Sequence, residues 1–269
     1  MLAVSIESVS KTFGKGSPLA LFLPPSKSQL VRALDSISLQ VDCGEVCVLV
    51  GPNGSGKTTL LKIVSTLLLP ESGRVRIGGI DAAQNPGDVR KKVGIAVASD
   101  RSFYPRLTAR ENLDFFAAFD DVVRAYRPQR VDQVLRQADL AFAADTQVYK
   151  FSSGMCQKLG IARALLKRPQ VVLFDEPSRS LDAVSTIHLW SCIRELKANG
   201  AAILLATHNF EEAAAVGDQL AILVKGRLHS IGAVAGRAEE LRTTYMNVCG
   251  GDSGESQQER SGALAHGTR

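Results

Sequence analysis

Eight consecutive residues carry the strongest chemical signal in the chain. Gly51-Pro52-Asn53-Gly54-Ser55-Gly56-Lys57-Thr58 fits the pattern Gly-x4-Gly-Lys-Ser/Thr at every position. Its glycines permit the tight backbone turns that let successive N–H groups converge on phosphate oxygens. Lys57 supplies a cation for a β- or γ-phosphate, and the Thr58 hydroxyl is an oxygen ligand suited to Mg²⁺. Thr59 stands directly behind it. An apolar segment, Val46–Val50, precedes the loop and a helical pattern follows it, so a helix N-terminus adds partial positive charge.

A second signal lies well over a hundred residues later. Val171-Val172-Leu173-Phe174-Asp175-Glu176-Pro177 sets two carboxylates at the end of a strand-like apolar run. In open α/β sheets ligands bind at the carboxyl ends of strands. Asp175 is placed to hold Mg²⁺ directly or through water, and Glu176 to polarise a water attacking a γ-phosphate. Alone, the Asp-Glu pair would be an ordinary loop feature. Beside a phosphate loop it reads as catalytic.

The elements that must position these groups follow from periodicity. Strands are expected at 3–9, 37–41, 46–50, 74–77, 93–98, 171–174 and 202–206, with a hairpin over 219–231 turning at Lys225 and Gly226. Pro24-Pro25 within 14–27 reads as a loop or insertion. Helices are expected at 57–68, 130–138, 155–166 and 184–196. Thr108 and Glu111 form a capping-box pattern ahead of Leu113, Phe115, Phe116 and Phe119. Alternating apolar strands and helices predict an α/β core with a parallel sheet covered on both faces. Residues from about 100 to 166 read as a mostly helical subdomain within it. No internal repeat is evident.

Composition bounds the rest. The chain has 269 residues, 45% of them apolar, and a formal net charge of +5. That excludes a wholly disordered chain, a collagen and a small disulfide scaffold. The mild, dispersed basicity demands no nucleic-acid partner. No stretch reaches the ~18–20 apolar residues of a spanning helix, and Met1–Lys11 lacks a secretory signal pattern. The five cysteines, Cys43, Cys47, Cys156, Cys192 and Cys249, show neither framework nor zinc spacing and read as small buried hydrophobes.

Five separated motifs, in order, resemble the ATP-binding subunits of ATP-binding-cassette transporters over about Val4 to Ile231. Phe151-Ser152-Ser153-Gly154-Met155 resembles the cassette signature, usually Leu-Ser-Gly-Gly-Gln, with Ser153 and Met155 departing from it. Ser180-Leu181-Asp182 resembles the loop along the family's dimer seam, and Asp182 also suits a helix cap. His208 matches the switch histidine that contacts the γ-phosphate, and Phe13 resembles the aromatic that stacks on adenine. Ser99 stands where the family usually has a Gln that touches Mg²⁺ and the attacking water, and its side chain is much shorter.

The resemblance implies a P-loop NTPase (RecA-like) α/β core with an antiparallel β subdomain and an inserted helical subdomain. It implies one nucleotide-binding domain over 1–235 and a short C-terminal extension over 236–269, disordered from about 250. It further implies Mg²⁺ and ATP, sandwiched in a head-to-tail dimer with a homologous or identical subunit. A separate membrane permease would hold the protein at the cytoplasmic face of the membrane. Ser102 to Leu113 resembles exporters of antibiotics, polysaccharides or related hydrophobic cargo, with Phe103, Tyr104 and Phe115 as candidates for the permease groove. Two alternatives stand beside this reading: a cassette ATPase acting on DNA or ribosomes, and a regulatory module that binds ATP with little hydrolysis.

Overall fold

The computed structural model describes residues 1–14, 30–97, 103–234 and 237–249. In chain order its strands are Leu2–Gly14 (β1), Leu30–Asp42 (β2), Val46–Val50 (β3), Ser72–Ile77 (β4), Ile80–Asp81 (β5), Val93–Val97 (β6), Val171–Asp175 (β7), Ala202–Ala206 (β8), Gln219–Val224 (β9) and Arg227–Ala233 (β10). The helices are Lys57–Val64 (α1), Pro86–Lys92 (α2), Ala109–Phe119 (α3), Arg127–Gln137 (α4), Ser153–Leu165 (α5), Ala183–Ala198 (α6) and Phe210–Val216 (α7), then residues 238–249 (α8).

Continuous apolar sequence in β3, β7 and β8 sets the architecture. Every residue of these three strands is buried, so the sheet holding them needs cover on both faces. That sheet has six strands in the order β10-β9-β3-β8-β7-β6, parallel except for β10 against β9. Alternate side chains feed two separate cores. Val46, Val48 and Val50, with Val172 and Phe174, join the core shared with α3 to α6. Cys47 and Leu49, with Val171 and Leu173, join the core shared with α1 and the second sheet. The second sheet is antiparallel, ordered β2-β1-β4-β5.

The helical segment between β6 and β7 contains α3, α4 and α5, which pack on one another. Thr108 and Glu111 form the anticipated capping box at the start of α3. Glu111 accepts hydrogen bonds from the backbone and hydroxyl of Thr108, which holds its carboxyl below the usual range.

Several elements depart from the sequence expectation. α1 stops at Val64 rather than Leu68, because Thr66 turns left-handed and the amides of Leu67 and Leu68 both fold back on the Lys62 carbonyl. β1 and β2 run 13 residues each, bent by register shifts, with left-handed Ser8 and Ser36 in them. α2 and α7 span only seven residues each, too short for a legible apolar period. α8 lies in the stretch read as an extension, where Leu241 is buried and Tyr245, Val248 and Cys249 pack on the core. Two cysteines, Cys47 and Cys192, are the buried hydrophobes expected, whereas Cys43 is exposed and Cys156 and Cys249 are half-buried. The 14–27 loop falls almost wholly outside the described residues.

Replacing Thr108 by Ala removes one half of the capping box and is expected to cost about 1 kcal/mol, read as a lower urea midpoint and faster amide exchange in α3. The Glu111 half depends on an ionised carboxylate whose folded-state value is depressed. Its contribution is therefore complete above the unfolded carboxylate range and lost as pH falls through the folded value.

Candidate functional site

Parallel register brings the chemistry to one edge of the sheet. Leu49 pairs with Ala206, and Ala206 pairs with Asp175. The ladder runs one residue further, since Thr207 N donates to Leu49 O at 3.1 Å and Glu176 N donates to Ala206 O at 2.8 Å. The phosphate loop, the Asp175-Glu176 pair and the Thr207-His208 pair thus leave three adjacent strands side by side. β6 joins the same row, with Val97 opposite Asp175.

The loop after β3 wraps the start of α1. Gly56 caps this helix in a left-handed conformation, with no side-chain cap and no acidic residue in the first turn. A Cβ at Gly56 would meet the Ala33 carbonyl oxygen at 2.5 Å, so only glycine fits there. The uncapped N–H groups of α1 form an anion-binding helix start. Lys57 is buried, and its Nζ donates to the carbonyls of Gly51 at 2.7 Å and Pro52 at 3.2 Å. Burial lowers its pKa, opposed by the negative charges of Glu176 and Asp175. Its ammonium therefore lies within reach of both carboxylates' fields.

Thr58 Oγ1 donates to Asp175 Oδ2 at 2.8 Å across 117 residues of chain. Two hard oxygen donors thus meet at the loop, which fits Mg²⁺. This ion takes one or two protein oxygens and completes its octahedron with phosphate and water. Among the described residues no group of three His, Cys, Asp or Glu side chains could hold a metal without such help.

Glu176 follows Asp175 in a left-handed conformation, φ 51°. That strained backbone costs a non-glycine residue roughly 1–3 kcal/mol and turns its side chain away from the strand direction. Its Oε2 lies 2.6 Å from Nδ1 of His208. Glu176 is mostly shielded and His208 largely exposed. The cleft beside them, about 290 Å³, is lined by Asn53, Gly54, Ser55, Gly56, Lys57, Thr58 and Thr59 from the loop, with Asp175 and Glu176 opposite. Ala33, Val97 and Arg179 complete it and were not singled out from the sequence. Arg179 follows Glu176 by three residues in the same turn, its amide donating to the Glu176 carbonyl at 3.2 Å.

The remaining sequence candidates divide. Ser152 caps α5, its hydroxyl accepting from Met155 N at 3.2 Å, and Asp182 caps α6, accepting from Ser185 N at 2.7 Å. Ser152, Ser153 and Asp182 are exposed, and none of them lines the cleft. A Cβ on Gly154 would meet the Ser180 carbonyl oxygen at 2.8 Å, so the start of α5 and the loop before α6 touch backbone to backbone. Phe13 is opposite Val31 near the end of β1, partly exposed, with the Lys11 ammonium 5.7 Å over its ring. It is not among the residues lining the cleft; Ala33, two positions along β2 from Val31, is. Ser99 lies outside the described residues. Phe103 is buried in the subdomain core, while Tyr104 and Phe115 are exposed and meet edge-to-face at 4.9 Å.

Comparison with known proteins bears on this geometry. Residues 34–179 match the family profile described as ABC transporter. The chain belongs to the ABC transporter family. It is 33% identical over 221 residues to the ABC transporter ATP-binding protein NatA of Bacillus subtilis, covering 82% of this chain and 90% of NatA. It is 35% identical over 244 residues to the doxorubicin resistance ATP-binding protein DrrA of Mycobacterium tuberculosis, covering 90% of this chain and 67% of DrrA. Among solved structures, the ATP-binding cassette MJ0796, described as dimeric and post-hydrolysis with ADP and Pi, superposes with a TM-score of 0.76. That match is 27% identical and covers 87% of this chain and 99% of MJ0796. This protein is accordingly an ATP-binding, ATP-hydrolysing subunit of an ABC transporter. ABC cassettes bind ATP with Mg²⁺ and work with membrane permeases. Among the described residues no helix is long and apolar enough to cross a membrane.

Asp175→Asn keeps an oxygen to accept from Thr58 but removes the charge. Mg²⁺-dependent ATP affinity is expected to fall roughly tenfold or more, measured by calorimetry with and without the metal, while the thermal midpoint changes little.

Proposed function

We propose that Lys57, Thr58, Asp175, Glu176 and His208 form the hydrolytic site for Mg-ATP, and that the subunit drives export by a separate permease. The observation that carries this reading is the convergence of two pairs, Thr58 with Asp175 and Glu176 with His208, at one sheet edge. Thr58 and Asp175 would hold Mg²⁺, which when bound neutralises charge on the phosphate oxygens. The N–H groups from Gly54 to Thr58 cradle phosphate, and Lys57 turns from its loop carbonyls to the β- and γ-phosphates. Glu176 accepts the proton of the attacking water. His208, through its bond to Glu176 Oε2, orients that carboxylate and meets the γ-phosphate with its exposed edge.

Ser152, Ser153, Gly154 and Asp182 take no part in the cleft of their own chain. In this reading they close over ATP held by a second subunit, identical or homologous, in a head-to-tail pair. The exposed helix start at Ser152 and its contact with the loop before α6 support that role, because both features face outward together. The dimeric description of MJ0796 supports it as well. Residues 1–235 form the working cassette, with the segment from about 100 to 166 as its helical arm. Tyr104 and Phe115 are the exposed aromatics offered to the permease, and Phe103 supports them from the core. The likeness to DrrA, named for doxorubicin resistance, supports a hydrophobic, drug-like cargo and a place at the cytoplasmic membrane face.

Glu176→Gln removes the proton acceptor but not the bulk. ATP turnover is expected to fall by about a hundredfold or more, while ATP still binds and a dimer accumulates on sizing with Mg-ATP. Near-normal turnover would remove Glu176 from its role. Tyr104→Ala combined with Phe115→Ala is expected to leave basal ATP hydrolysis intact and abolish its stimulation by the permease, measured in reconstituted membranes.

A further inference from the structure

A carboxylic acid that the mechanism does not use lies close to the Glu176-His208 pair, within the field of Glu176 and four residues after His208. Glu212 is fully buried, and neither of its carboxyl oxygens has a hydrogen-bond partner at normal distance and angle. Ser178, Thr207 and Trp190 approach it with two hydroxyls and an indole N–H. The Trp190 indole nitrogen is likewise buried without a hydrogen-bond partner. Each of these three neighbours belongs to a different segment. Ser178 is two residues beyond Glu176, Thr207 immediately precedes His208, and Trp190 is on α6. Glu212 itself sits on α7, four residues after His208.

We propose that Glu212 is a positioning residue that ties the turn carrying Glu176 to the turn carrying His208, through Ser178, Thr207 and Trp190. The inference rests on Glu176 and His208 being the hydrolytic pair. The backbone around Glu212 is itself fixed. Asn209 Oδ1 accepts from the amides of Glu211 at 2.9 Å and Glu212 at 3.2 Å, and Asn209 N donates to Thr207 Oγ1 at 3.1 Å. Thr207 is buried and joined to β3 through Leu49 O. A shift of the Glu212 side chain is therefore transmitted to both turns rather than absorbed by a loose loop.

Burial raises the Glu212 pKa, as does the nearby negative charge of Glu176, while the approaching Thr207, Ser178 and Trp190 groups oppose the rise. In its neutral form the acid can both donate and accept, which suits the two hydroxyls and the indole N–H that approach it. An apolar side chain of equal length would fill the same space at lower desolvation cost. A residue kept only for packing gains nothing from the carboxyl.

Two substitutions separate positioning from packing. Glu212→Gln keeps a neutral donor and acceptor; Glu212→Met keeps the volume and removes both. The first readout needs no turnover: imidazole ¹⁵N–¹H spectra of the full chain, with the His208 signal assigned by its loss in His208→Asn. The Gln protein is expected to keep the native His208 Nδ1 signal, and the Met protein to shift it toward that of a free imidazole. The second readout is steady-state hydrolysis. The Gln protein is expected to stay within about twofold of native kcat, and the Met protein to lose roughly tenfold to a hundredfold in kcat with KM for ATP unchanged. An unmoved His208 signal in Glu212→Met overturns the proposal, and so does an equal shift in both variants. If Glu212→Met does not fold, Trp190→Phe removes the indole donor while keeping the aromatic, and an unmoved His208 signal there overturns it equally. A native protein that binds but does not hydrolyse ATP would instead overturn the catalytic reading, and the spectra would still judge the tether.

Discussion

Burial on both faces of a parallel sheet is the constraint from which the site follows. β3, β7 and β8 expose nothing, so their backbone groups must pair within the sheet and their ends must emerge together. The row Leu49, Ala206 and Asp175 fixes where each strand ends. A slip of one residue in any strand would send Val48, Leu173 or Leu205 into the wrong core and pull its terminal residue out of the cleft. Packing and chemistry thus share one register.

The site concentrates opposing charge within that rigid frame. Lys57 bears a desolvation cost that the two carboxylates partly offset. Glu176 bears backbone strain, held by the hydrogen bond its amide donates to the Ala206 carbonyl and by His208 against its carboxylate. These costs are sustained because the surrounding strands are over-determined by packing. The bonds of Lys57 to the loop carbonyls, Thr58 to Asp175 and His208 to Glu176 hold these groups at one edge, where a charged ligand would exchange with them.

Much of this was legible in the sequence, and the reasons differ by residue. The phosphate loop is local: eight adjacent residues state their own backbone geometry. Asp175 and Glu176 were legible because a buried strand leads directly into them. Thr108 with Glu111 announced α3 by the same local logic. The meeting of Thr58 with Asp175 was expected because each was read as an oxygen ligand for Mg²⁺, one on the phosphate loop and one at the end of a buried strand. α2 and α7 escaped because seven residues hold too few turns for a period to show. α8 escaped because Leu241, Tyr245 and Val248 sit among polar residues, and only the core they meet reveals their purpose. Arg179 and Ala33 carry no motif, and only the fold places them at the cleft. Glu212 reads as a routine acidic residue early in a helix; its burial is tertiary information.

The close approach of Gly154 to the Ser180 carbonyl has a mechanical consequence. Any larger side chain at this position would collide with that oxygen, so the glycine lets the start of α5 seat against the segment following Glu176. The smallest side chain in the region thereby sets how closely the helical arm and the post-Glu176 loop can come together.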